Sequence, residues 1–157
     1  MIYSKTCEYA MRALQYLAEQ KRGEFILTKT VGEATGIPQA YLAKIFQDLV
    51  RHDILSSRRG AAGGVALKKN PESISLKQVM EIIDDPEHFN ACVMGLDRCA
   101  NANPCPLHHV WKKARQNILS EMQTRTLASL TKNIGKVRYR DLNRGRLNAG
   151  LKLKASD

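Results

Sequence analysis

The chain has 157 residues and a mass of 17.6 kDa, the size of one domain plus at most an appendage. With 43% hydrophobic residues it can bury a self-sufficient core, and no run nears the roughly 18–20 apolar residues of a membrane span. The N-terminus lacks the layout of a secretion leader, so membrane and secreted classes drop out and a soluble, cytoplasmic protein is expected.

Twenty-five Lys and Arg against 15 Asp and Glu give a net charge of +10, a balance that suits a polyanionic partner. Of this, +6 lies in the last 26 residues, Lys132 to Asp157, where few apolar side chains could offset the entropy of ordering. Residues 133–157 therefore read as a basic, disordered tail, and a nucleic-acid assignment has to rest on the body of the chain.

Residues 4–20 carry Ala10, Ala13, Leu14 and Leu17 at the spacing of one buried helical stripe. Lys21-Arg22-Gly23 predicts the end of that helix, with basic residues in its last turn. Phe25-Ile26-Leu27 predicts a brief strand. Thr28 offers a cap to a short helix with Val31 and Ala34 facing inward, closed by Gly36 in the left-handed conformation. Pro38 marks the start of the next helix, and Leu42, Ile45, Phe46, Leu49 and Val50 form its apolar stripe up to His52.

Two helices about a glycine-centred turn, the second longer, give the helix-turn-helix pattern. Ile54–Ser57 and Gly64–Leu67 read as strands joined by a dibasic, glycine-rich loop, Arg58 to Gly63, which makes the unit a winged helix. Glycines let such a loop approach a phosphate backbone, and an arginine can enter a narrow minor groove. Pro71 and Ser75 introduce another helix, stopped by Asp84-Asp85-Pro86. After Pro106 the stripe Leu107, Trp111, Ala114, Ile118 and Met122 predicts one long helix, whose apolar face needs a partner. The expected fold is mainly α with a small β wing: a winged helix-turn-helix domain over 1–86, a cysteine loop over 87–106 and a long C-terminal dimerisation helix over 107–132.

Three of the four cysteines, Cys92, Cys99 and Cys105, lie within 14 positions, followed by His108 and His109. Soft thiolates with a nearby imidazole can close around a soft metal centre. The gaps are wider than a zinc knuckle uses and suit an iron–sulfur cluster. Structural zinc on Cys92, Cys99, Cys105 and His108, unligated or disulfide-bonded cysteines, and a Cys105–His108 nucleophile are the competing readings. His109 reads as solvent-facing and Cys7 as a small buried hydrophobe. Three cysteines leave one cluster corner open. His108 could fill it from the same loop, or Glu8 from a partner subunit, although Glu8 also stands at the i,i+4 spacing of an ion pair with Arg12.

Taken in order, Glu8-Tyr9-Ala10-Met11-Arg12-Ala13-Leu14, Gly36-Ile37 with Tyr41-Leu42, Ser57-Arg58-Arg59-Gly60 with Gly63-Gly64, and Cys92, Cys99 and Cys105-Pro-Leu-His108-His109-Val110-Trp111 resemble the Rrf2 (IscR/NsrR-type) regulators of bacteria, over about residues 1–132. The resemblance implies a homodimer with crossed C-terminal helices and a two-iron or four-iron cluster on Cys92, Cys99 and Cys105. The fourth ligand is then a histidine placed like His108 or an acidic residue placed like Glu8 of the other subunit. Val65, where many relatives carry an aromatic residue, and the small Ala40 and Ala43 depart from that pattern.

These features predict a DNA-binding transcriptional repressor and not an enzyme, with double-stranded operator DNA as partner and cluster state, set by redox, nitric oxide or iron status, controlling its affinity. Gln39, Lys44 and Gln47 are the candidates for the major groove, Lys29 and Arg51 for phosphates, and Arg58 and Arg59 for the wing. The alternatives are a zinc-stabilised winged-helix DNA-binding protein without sensing, and a basic RNA-associated protein.

Overall fold

A computed structural model describes residues 3–60, 62–85, 89–96 and 104–134. Six helices and one hairpin follow in the order α1 (Lys5–Ala18), α2 (Thr28–Thr35), α3 (Gln39–Arg51), β1 (Leu55–Arg58), β2 (Gly64–Leu67), a 3₁₀ turn (Pro71–Ser73), α4 (Leu76–Ile83), α5 (His108–Thr124) and α6 (Leu127–Ile134). The basic tail beyond Ile134 lies outside the described residues, and no helix among those described is long and apolar enough to cross a membrane.

Helix α1 starts where the Ser4 hydroxyl accepts the Cys7 N–H at 3.1 Å. Ser4 also donates its backbone N–H to Asp84 Oδ2 at 2.7 Å and its hydroxyl to Asp84 Oδ1, so one cap fastens the start of α1 to the end of α4. The stripe Ala10, Ala13, Leu14 and Leu17 is buried as its spacing predicts, with Cys7 one turn earlier. The helix ends at Ala18, ahead of Lys21-Arg22, so its last turn carries no basic residue and the expected dipole contact is absent.

Helix α2 begins at Thr28 itself, with Leu27 as its cap residue and no side-chain cap bond. Thr35, not Ala34, accompanies Val31 into the core. Its hydroxyl donates to the Val31 carbonyl at 2.6 Å, which satisfies the buried hydroxyl within the helix. Gly36 adopts the predicted left-handed conformation at φ +70°. Pro38 caps α3 instead of opening it, one position from expectation, and Leu42, Ile45, Phe46 and Leu49 are buried below.

The hairpin pairs Leu55 with Leu67 and Arg58 with Gly64 in antiparallel register. Phe25–Leu27 contributes a single bridge: Ile26 and Val65 exchange both backbone N–H···O bonds at 2.9 Å. The bridge brings the two backbones so close that a Cβ on Gly64, whose φ is +124°, would sit 2.1 Å from the Ile26 carbonyl oxygen. Only glycine fits there.

The C-terminal helix is not continuous to 132. At Arg125 the backbone turns extended, Leu76 N–H donates to the Arg125 carbonyl at 2.9 Å, and Leu127 N–H donates to the Ile74 carbonyl at 2.8 Å. The Thr126 and Ser129 side chains cap each other's backbone N–H groups at 3.2–3.3 Å and open a new helix. Helix α6 then folds back against α1 and buries Leu127 completely. Helix α5 packs Leu119 and Met122 against a second cluster of Cys7, Met80 and Phe89, while Leu107, Val110 and Ile118 remain exposed.

Gly64→Ala is expected to lower unfolding stability by about 2 kcal/mol or more, since backbone on both sides of the bridge must shift. Urea unfolding followed by circular dichroism measures this. Gly23→Ala, which meets nothing within 4 Å despite its φ of +78°, should cost only about 1 kcal/mol.

Candidate nucleic-acid interface and metal centre

The start of α2, the exposed flank of α3 and the hairpin enclose an open cleft of about 570 Å³. It is lined by five of the seven polar residues expected to meet DNA: Lys29, Gln39, Gln47, Arg51 and Arg58. Its floor is apolar, made by Leu27, Ala43, Phe46, Val50 and Val65. The floor follows from the fold. Phe46 and Val65 are core side chains whose outer edges surface between α3 and β2, and the Ile26–Val65 bridge carries Leu27 beside them.

Three of the cations are held before any partner arrives. Lys29 lies 3.9 Å from Glu33 and Arg51 lies 3.3 Å from Asp48, both exposed pairs within one helix. Such pairs are worth roughly 0–1 kcal/mol and exchange readily for a phosphate. The Arg58 guanidinium stacks 4.3 Å from the centre of the Phe25 ring, which aims the wing's first arginine. Lys44 and Arg59 are exposed but do not line the cleft, and among the described residues Lys44 has no carboxylate partner. Sequence reasoning missed Thr28 and Ser57, which line the cleft, and the role of Phe25, which read only as part of a brief strand. An arginine at the end of a wing strand was the available signal, but an aromatic 33 positions away could not be paired with it by pattern alone.

At the wing tip Gly63 N–H donates to the Gly60 carbonyl at 2.9 Å. A Cβ on Gly63 would fall 2.4 Å from the Arg58 carbonyl oxygen, so the tight loop depends on that glycine.

The cysteine segment is described at both ends, and Cys99 lies outside the described residues. Cys92 and Cys105 are each half-buried, and neither is in a disulfide. Both are fixed through backbone to the first turn of α5. The Cys105 carbonyl accepts the His108 N–H at 2.9 Å, and the indole of Trp111 donates at 3.1 Å to the carbonyl of Ala91, next to Cys92. His108 is buried, with His109 edge-on at 5.2 Å and exposed as expected. Glu8 forms the anticipated ion pair with Arg12 at 3.0 Å and a second with Lys5 at 2.6 Å.

Among the described residues no three or more His, Cys, Asp or Glu side chains converge on one point; Cys99, the middle donor of the expected set, lies outside them. The donors nevertheless fit a thiolate-bound centre: two unbridged, partly accessible cysteines stand on pinned backbone at the two mouths of one segment. Cys7 is the opposite case. It is fully enclosed, and burial together with the Asp84 carboxylate pushes its thiol up to about 12.

The sequence pattern of the family described as "Rrf2: Iron-dependent Transcriptional regulator" matches residues 3–133. A candidate HTH-type transcriptional regulator of Aquifex aeolicus is 30% identical over 132 residues, 83% of this chain and 91% of that protein. The HTH-type transcriptional regulator IscR of Yersinia pseudotuberculosis is 28% identical over 125 residues, 80% of this chain and 76% of IscR. Among solved structures, T. potens IscR superposes with a TM-score of 0.67 at 20% identity, covering 89% of this chain and 94% of that one. The oxidized form of Staphylococcus aureus CymR also superposes at 0.67, with 21% identity over 88% of this chain and all of that one. These two support the winged-helix fold.

Because the folded pKa of Cys7 lies above the unfolded value of 9.0, its contribution to stability is intact below pH 9 and is lost as pH rises from 9 towards 12. Native alkylation at pH 8 followed by mass spectrometry should leave Cys7 unmodified, with modification appearing only in denaturant. Cys7→Ser should flatten the alkaline limb of the stability profile.

Proposed function

The chain belongs to the Rrf2 family of transcriptional regulators, which are not enzymes, and from that premise we propose that it is a homodimeric operator-binding repressor governed by an iron–sulfur cluster. The observation that carries the DNA half is the cleft, where three cations and two glutamines from three separate elements line one concave surface. Helix α3 enters the major groove and the wing follows the backbone to the adjacent minor groove. Lys29 and Arg51 exchange their carboxylate partners for phosphates, Lys44 faces the groove beside the cleft, and Arg58 and Arg59 position the hairpin.

The exposed Leu107, Val110 and Ile118 supply an apolar face on α5 for a second protomer. A two-fold dimer then expects a pseudo-palindromic operator with half-sites one helical turn, or a multiple, apart.

Cys92, Cys99 and Cys105 would hold a two-iron or four-iron cluster, with His108 or a second protomer's Glu8 as fourth ligand. Such a group, when bound, supplies chemistry sensitive to oxidants, nitric oxide and iron supply. The chain couples the segment to the DNA face mechanically. Ala91 and Cys105 are both tied to the first turn of α5, and α5 packs on α4, which Asp84 fastens to the cap of α1. Rearrangement between Cys92 and Cys105 therefore acts on the helix that sets the distance between two recognition helices. A hundredfold change in affinity needs only about 2.7 kcal/mol between the two arrangements.

Protein purified without oxygen is expected to be brown, to contain iron and sulfide, and to lose both with Cys99→Ala. One zinc per chain and no colour would overturn the cluster. Arg59→Ala should weaken operator binding and reduce the salt slope of log K by about 0.9, the loss of one phosphate-equivalent contact; titration at four salt concentrations measures it. Val110→Glu with Ile118→Glu should shift sedimentation from dimer to monomer.

A further inference from the structure

We infer that the recognition helix reads A·T base pairs through one stripe, Gln39, Ala43 and Gln47, an inference that rests on the proposed DNA-binding function. These residues recur every fourth position along α3 and all three line the cleft. Eight residues of helix span about 12 Å. At about 3.4 Å per base pair, the two glutamines stand three to four pairs apart with Ala43 midway.

The chemistry of the stripe selects the bases. A carboxamide offers a donor and an acceptor side by side, the complement of adenine N7 and N6 in the major groove. Neither Gln39 nor Gln47 is engaged by another described residue, so both amides are available. The alanine methyl complements the 5-methyl of thymine, and the floor of Phe46, Val50 and Val65 keeps that contact apolar. Two competing readouts lack their side chains. Reading cytosine N4 needs an acidic acceptor, and no Asp or Glu lines the cleft. Reading guanine N7 and O6 needs Arg or Lys free at the floor. None stands on the floor: at the rim Lys29 rests on Glu33, Arg51 on Asp48 and Arg58 on the Phe25 ring, while Lys44, which has no carboxylate partner among the described residues, lies beside the cleft and outside the stripe. The small side chain at position 43 has a further effect, because it lets the α3 backbone approach the groove closely between the longer glutamines.

The test is selection from randomised duplexes by the full-length chain, as purified without oxygen and again after iron chelation so that either form is sampled. The expected half-site has A·T or T·A pairs at the two glutamine positions and a thymine between them. Gln39→Ala and Gln47→Ala should each relax selection at one end only, with a roughly 5- to 150-fold loss on the selected site. Replacing the central thymine by deoxyuridine should weaken binding roughly fourfold, the worth of one buried methyl. Both residues are exposed, and unchanged thermal unfolding of the variants separates readout from folding. Selection of G·C pairs at these positions, or a deoxyuridine duplex bound as tightly as the thymine one, would overturn this readout and leave the regulator standing. Equal binding to all sequences would overturn the proposed function itself.

Discussion

The reciprocal pair of hydrogen bonds between Ile26 and Val65 is the constraint on which the DNA face depends. It joins the linker ahead of α2 to the second wing strand, and so makes a rigid body of parts that sequence separates by some forty residues. Leu27 and Val65 become neighbours in the cleft floor because of it, and Phe25 arrives within stacking distance of Arg58. A two-stranded hairpin alone is marginal in water. Here the third backbone at Ile26, together with the buried Ile54, Leu55 and Val65, fixes it to the helical core.

The same economy governs the other end of the molecule. Helix α6 returns to the body through Leu127 and closes the main core, so α5 is anchored at both ends, by Trp111 and His108 at the first and by the Arg125–Leu127 crossing at the second. Between these anchors α5 divides its apolar residues: Leu119 and Met122 cover Cys7 and Met80, and Val110 and Ile118 face outward.

Much of this was legible in the sequence because it rests on local chemistry. The stripes of α1 and α3, the left-handed Gly36, the Ser75 cap and both wing strands are set by periodicity and single-residue preference, and they lie within a residue or two of expectation. The misses share a cause in tertiary contact. Thr35, four positions after Val31, shares its buried face in place of Ala34, and Arg12 on another helix donates to the Thr35 carbonyl at 3.3 Å. The break at Arg125 was invisible because Ile74 and Leu76, which take up the freed backbone groups, lie fifty residues upstream. Five of the seven DNA candidates line one cleft, since exposed polar positions on a recognition helix and wing are nearly a consequence of the fold. The cysteine donors are less legible: spacing says that thiolates can share a centre, while their arrangement depends on a segment extending past the described residues.

The carboxylates beside Lys29 and Arg51 have a further bearing on how the molecule behaves among competing polymers. Glu33 and Asp48 act as tethered surrogates for phosphate, so each arginine or lysine reaches a nucleic acid already partly neutralised. Random encounters gain little from swapping one anion for another, whereas a correctly docked duplex engages all these positions at once and outcompetes the surrogates together. Against a net charge of +10 the effect is local: at these two positions the gain on meeting a phosphate is smaller than a bare cation would have.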